Sequence, residues 1–320
     1  MGNLPRVRVT AARPFLNTGV DYCGPFYIKE KKLRNRNRVK VYVAVFTCLA
    51  VKAVHLEVVS DMTTEGFLAA LNRFISRRGR CTAIHSDNGS NLKGAKNELD
   101  GLYQLLQTRE FDEQIEKYLT EKGIEWKFIP PLSPHFGGIR ESAVKSFKHH
   151  LKRVVGNELF TFERFNTFVV EIESILNSGP LTPLSSDPND FLVLTPAHFL
   201  IGESLTSIPE RDFGITPSNR LSTWQHLQKV KQHFWDRWRK EYPNELNIRH
   251  RWTNGSHDIQ EGSVVVVKDN NLPPLRWILG RVIETCPGAD GIIRTVKIKT
   301  PNGAFVRNVK KSAPLPQDND

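Results

Sequence analysis

The sequence predicts an α/β layered domain of about 200 residues followed by a small all-β module. Three observations lead there. Up to about residue 200, β-branched and aromatic runs alternate with stretches of helical period. Two Pro- and Ser-rich stretches, 179–190 and 209–218, then interrupt the pattern. Beyond one further helix, short strands recur between turn signals, among them Asn302-Gly303, a hairpin dipeptide.

The elements follow in order. Residues 18–28 are extended and carry Asp21, and residues 39–49 (VKVYVAVFTCL) read as a buried strand. A third strand spans 53–59. Phe67, Leu68, Leu71, Phe74 and Ile75 then recur at helical spacing over 63–77, with Thr63 or Thr64 as the cap. A short strand, 81–85, ends at the turn Ser86-Asp87-Asn88-Gly89. The polar stretch 91–122 reads as helices with a loop, and 124–129 as a strand. A Pro/Gly loop over 130–138 leads into a helix over 139–155, and another helix covers 162–176. Residues 221–242 form an amphipathic helix. Trp224, Trp235 and Trp238 on it suit core packing better than base stacking. Strands are expected at 263–268, 277–285, 293–300 and 304–309.

A net charge of +11 points to a polyanionic partner. No run of 18 apolar residues occurs and no apolar leader opens the chain, so no membrane segment is expected. Cys23, Cys48, Cys81 and Cys286 form no CxxC pair, so neither a zinc knuckle nor a disulfide framework is expected; Cys23, Cys48 and Cys81, in or beside apolar runs, read as buried thiols in a reducing compartment. The charge is uneven, with 16 Lys and Arg against 10 acids over 221–320. Seven cations crowd residues 29–40, Arg34, Arg36 and Arg38 among them, opposed by Glu30 alone. A charged hairpin tip can be merely solubilising, but this density on a basic protein favours DNA contact.

Three carboxylates occupy rigid positions: Asp21 within a strand, Asp87 at a strand end and Glu141 in the first turn of a helix. Acids gathered at one point repel unless cations neutralise them, and hard oxygen ligands suit Mg²⁺ or Mn²⁺. Each also has a plain structural reading. Asp87 fits a turn, and Glu141 complements a helix dipole. Asp21 is harder to explain that way, because an acid flanked by apolar strand residues is costly to bury unpaired. Spacing does not single these three out among 34 acids. Glu141, Lys145, Lys148 and Lys152 share one helical face, with Val144, Phe147 and Leu151 opposite. That face is either a solvated charged surface or a catalytic ligand beside a phosphate track.

The phrases TGVDYCGPF, SDNGSN and SPHFGGIRESAVKSFKHHLK resemble the catalytic core of retroviral and retrotransposon integrases. Together with HFWDRWRKEY in the tail, they most resemble the Pao/BEL group of LTR retrotransposons. The resemblance implies an RNase H-like mixed sheet flanked by helices over 10–202, a linker over 203–220, and an amphipathic helix plus SH3-like barrel over 221–315. It also implies a D,D,E triad of Asp21, Asp87 and Glu141 holding two Mg²⁺ or Mn²⁺ ions. The implied activity is a polynucleotidyl transfer, 3′-end processing and then DNA strand transfer. Lys145, Lys148 and Lys152 would lie along the element's DNA end. The implied partners are element DNA ends, target DNA and further copies of the chain. The implied site of action is the nucleus, after synthesis within a cytoplasmic polyprotein.

Two departures accompany the resemblance. The step from Asp87 to Glu141, 54 positions, exceeds that of retroviral enzymes, which fits an insertion in 91–122. The family's His/Cys zinc domain has no counterpart here, so a fragment, a truncated copy or a host-captured copy is expected. The competing readings are a DNA-binding protein without joining activity and an RNase H-like nuclease acting on hybrids.

Overall fold

The computed structural model describes residues 10–30, 37–86, 93, 96–97, 123–128, 147–149, 151, 153–154, 159–185, 187, 189–254, 259–269, 272–288 and 293–316. The chain divides into two compact units, Met1–Glu173 and Ser174–Asp320.

The first unit is built on a mixed sheet. Strands β1 (Asn17–Lys29), β2 (Arg38–Cys48) and β3 (Val54–Val59) form an antiparallel meander, and β4 (Ala83–Ser86) and β5 (Glu125–Phe128) add in parallel beside β1. The order is β3-β2-β1-β4-β5, with the two-residue β6 (Phe160–Thr161) pairing the far end of β1. This is the mixed, helix-flanked sheet that the resemblance implied. The register of β1 on β2 shifts between Cys23 and Phe26, at Gly24-Pro25, where proline has no N–H to give the ladder.

Helix α1 (Thr64–Arg78) starts where expected: the Thr63 hydroxyl accepts the N–H of Gly66. It ends at Gly79, whose φ of 83° suits a residue without a side chain. Phe67, Leu71 and Phe74 are buried against the sheet, and Phe74 stacks on Phe46 at 4.3 Å between centroids. Helix α2 spans Phe162–Asn177. Between these, residues 147–149, 151 and 153–154 are helical, and Phe147 and Leu151 are fully buried, as the apolar stripe predicted.

The second unit holds a five-stranded antiparallel sheet of β9 (Val264–Val267), β10 (Ile278–Pro287), β11 (Ile293–Thr300), β12 (Gly303–Asn308) and β13 (Ser312–Pro314). Its order is β12-β11-β10-β9-β13, so the last strand returns beside the first. The expected strand-rich module is present. Among the described residues no ladder joins β12 to β13, so the sheet is seen as an open order rather than a closed barrel. All four valines of β9 are buried, because both of its faces are covered. Val264 and Val266 pack with Leu279, Ala313, Leu315 and Leu246, whereas Val265 and Val267 pack with Val282, Val296 and Ile298.

Two elements differ from the sequence reading. The amphipathic helix, α4 (Thr223–Asn254), runs past Pro243 instead of stopping at 242. Tyr242 and Leu246 both pack into the sheet cluster, and that packing outweighs proline's local cost. The stretch 179–190 is more ordered than its composition suggested. It holds β7 (Thr182–Pro183), which pairs with β8 (Val193–Leu194) ahead of the short helix α3 (His198–Ile201).

Candidate functional site

Asp21 sits in the middle of β1, which is paired on one side with β2 and on the other with β4. Asp21 itself pairs with Val45 of β2, and the β4 ladder ends two residues earlier at Gly19. Its side chain is 25% exposed, so the carboxylate lies near the surface but not freely in water. Oδ1 accepts the backbone N–H of Tyr22 at 2.7 Å. Oδ2 accepts from the Lys148 ammonium at 3.0 Å. The lysine is carried by a helical segment whose neighbours Phe147 and Leu151 are anchored in the core. Sequence periodicity placed Lys148 on the polar face but did not reveal Asp21 as its partner.

The strand that leads to Asp87 is firmly held. Ser86, the last residue of β4, is buried and its hydroxyl accepts the indole N–H of Trp126 on β5 at 2.8 Å. The β1–β4 ladder pairs Gly19 with His85, two residues before Asp21 and two before Asp87. Asp87 and Glu141 themselves lie outside the described residues, as do Lys145, Lys152, Arg34 and Arg36. Arg38 is exposed at the start of β2 and stands directly opposite Lys29 of β1. Like charges in register disfavour the hairpin unless an anion or solvent offsets them.

A metal implied by the triad can be tested on Asp21. It offers hard carboxylate oxygens from a rigid strand, and one of them already faces a cationic group. That donor chemistry fits Mg²⁺ or Mn²⁺. Among the described residues no group of three His, Cys, Asp or Glu side chains is arranged to hold a metal ion, and Asp87 and Glu141 lie outside those residues.

Sequence reasoning missed a second polar cluster. His55 and Glu57 of β3 are buried, with His55 Nε2 3.0 Å from Glu57 Oε1 and Nδ1 3.3 Å from Glu173 Oε2 of α2. Arg73, Arg77 and Arg78 of α1 close over the two carboxylates. Burial pulls the His55 pKa down, but hydrogen bonds to Glu173 and Glu57 outweigh it and leave it raised. Burial pushes Glu57 up, yet the bonds from His55 and Arg73 leave it lowered. The available signal was the polar pair alternating within the apolar strand VHLEVV.

Residues 20–134 match the family model described as integrase core domain. That span includes Asp21 and Asp87 and ends before Glu141. Residues 222–315 match a family model described as a family of unknown function. A chain of the cryo-EM structure of the simian T-cell lymphotropic virus intasome in complex with PP2A regulatory subunit B56 gamma aligns over 100% of this chain and 85% of its own. The identity is 13% and the TM-score 0.36. Likeness at that level carries no structural conclusion. No curated protein sequence matches the chain significantly.

Proposed function

We propose that the chain is the integrase of a Pao/BEL-type LTR retrotransposon, catalysing metal-dependent 3′-end processing and DNA strand transfer. The observation that carries this reading is the coincidence of two independent features. The integrase core match begins at residue 20, and Asp21 stands on the central strand of the mixed sheet. The domain scheme that accompanies it is a catalytic core over 10–202, a linker over 203–220 and an amphipathic helix plus SH3-like β-barrel over 221–315.

In this reading Asp21, Asp87 and Glu141 would hold two Mg²⁺ or Mn²⁺ ions. When bound, such ions activate the attacking oxygen and stabilise the leaving one in phosphoryl transfer. The chain's own residues position and bind. The β1–β2 ladder holds the Asp21 backbone, the Tyr22 N–H and Lys148 orient its carboxylate, and the Ser86–Trp126 bond holds the strand end that precedes Asp87. Lys145, Lys148 and Lys152 would take phosphates of the element's DNA end. Arg34, Arg36 and Arg38 would take phosphates at the β1–β2 hairpin, where the opposed Lys29 and Arg38 gain most from an anion. Element ends and target DNA are the substrates, further copies of the chain assemble on them, and the nucleus is the site of action.

A strand-transfer assay with a labelled duplex bearing the element's ends and Mn²⁺ tests this. Joined products are expected, and they should vanish in Asp21→Asn while duplex binding persists. Cleavage of RNA–DNA hybrids without joining would overturn the integrase reading.

A further inference from the structure

We infer that Lys148 is a built-in counter-cation of Asp21 that is exchanged when metal binds, so that divalent cation and DNA bind this site cooperatively. The inference rests on the proposed metal role of Asp21 and adds to it a function for its observed partner.

Three observations carry it. First, the ammonium bonds Asp21 Oδ2 at 3.0 Å, and so occupies a ligand oxygen that a metal would need. Second, the contact is not needed to hold the segment in place. Phe147 and Leu151, on either side of Lys148, are fully buried and anchor the backbone, whereas the lysine side chain is 38% exposed and the aspartate 25%. An ion pair this partly solvated is modest in strength and can be exchanged. Third, the group is a compact cation on a flexible four-carbon stem, which can move without moving its helix. A divalent ion brings twice the charge to the same oxygen. It therefore displaces the ammonium, which is left unpaired beside the site and free to take a phosphate.

Linkage then fixes the behaviour. Without metal, Lys148 is spent on Asp21 and adds little to DNA binding. With metal, it becomes a phosphate contact. The same coupling runs in reverse, so DNA that captures Lys148 clears Asp21 for metal.

The test uses the full 320-residue chain and two readouts other than turnover. Mn²⁺ binding to the DNA-free protein is followed by electron paramagnetic resonance. Binding of an unrelated DNA duplex is followed by anisotropy over a salt series, with and without Mn²⁺. Lys148→Gln should tighten Mn²⁺ binding about fivefold, the scale of an exposed ion pair. It should also lower the salt slope by about one phosphate contact in Mn²⁺ and leave it nearly unchanged without metal. Lys148→Arg, which keeps the charge, should behave as the wild type in the metal-free protein. Unchanged Mn²⁺ affinity in Lys148→Gln overturns the inference. So does a salt slope that falls equally in both conditions, or in neither. Mn²⁺ binding that survives in Asp21→Asn overturns the metal-site reading itself, a distinguishable failure.

Discussion

Glu173 Oε2 accepts the backbone N–H of Leu56 at 2.8 Å, tying α2 to the outer strand β3 across 117 residues of sequence. Strand β3 is an edge of the sheet, and an edge N–H needs a partner. The same carboxylate also accepts from Arg78 on α1, so a single side chain joins a strand and two helices. Glu173→Ala strips the partner from the Leu56 N–H, from Arg78 and from His55 Nδ1, and leaves the buried His55 beside unpaired charge. A loss of about 3 kcal/mol is expected, as for breaking a buried pair from one side. Glu173→Gln, which keeps an acceptor for Leu56, should cost less. Hydrogen exchange over residues 54–59 reads this directly; unchanged protection in the alanine variant would refute the role.

His55 gives this cluster a pH dependence with a definite sign. Burial opposes its charge, but the bonds to Glu173 and Glu57 leave its pKa above the ordinary 6.5. Its contribution to stability is therefore complete below about pH 6.5 and is lost as pH rises through the folded value. Glu57, held below its ordinary 4.5, works in the opposite sense. Its contribution is present above 4.5 and is lost as pH falls through its folded value. Between these limits the His55–Glu57 pair is charged on both sides. Thermal unfolding compared at pH 6 and pH 8 should show a downward shift at the higher pH. His55→Gln should flatten that dependence, and a dependence left intact in the variant would assign it to other groups.

Much of the fold was legible because burial writes itself into period and composition. The valine runs of β2 and β9, the Thr63 cap and the Phe147–Leu151 stripe all lie where residue type alone puts them. What stayed hidden depended on partners distant in sequence. Lys148 meets Asp21 over 127 positions, and Glu173 meets Arg78 over 95. Strand β13, three residues ending in Pro314, has too little sequence to carry a period; it forms because β9 offers an edge for it to pair. The course of α4 past Pro243 was likewise set by packing. Asp21 is the one member of the expected triad among the described residues, and its cost on a strand made it the acid with the firmest physical case.

The middle of the stretch expected to be a linker, residues 210–216, is bonded to α4. Lys231 Nζ meets Glu210 Oε1 at 2.5 Å, Gln232 bonds both the N–H of Phe213 and the carbonyl of Arg211, and Lys229 Nζ meets the Thr216 carbonyl at 2.6 Å. Lys231 is buried, so its pair is shielded from water, and the strap should resist cleavage. Limited trypsin digestion should spare the bond after Arg211 in the wild type. Gln232→Ala combined with Lys231→Met removes three of these bonds and should expose it. Rapid cleavage at Arg211 in the unaltered protein would mean that the strap does not hold in solution.

Gly280 on β10 is buried between β9 and β11, opposite Val265. A methyl group added there would come within 2.2 Å of Ile298 Cγ2, 2.9 Å of the Lys299 carbonyl and 3.1 Å of Thr300 Cγ2. The first contact could yield by a rotamer change in Ile298, although that side chain is itself fully buried. The second is to backbone, and relieving it means pushing β11 away and stretching the ladder. Gly280→Ala should therefore destabilise the second unit by about 1–3 kcal/mol, the range for overpacking a filled core, and Gly280→Val by more. The indoles of Trp235 and Trp277, edge to face at 5.1 Å in the same unit, provide a fluorescence signal for urea unfolding. A lowered midpoint at unchanged slope is the expected result. A midpoint equal to the wild type in Gly280→Ala would show that β10 and β11 do not approach this closely.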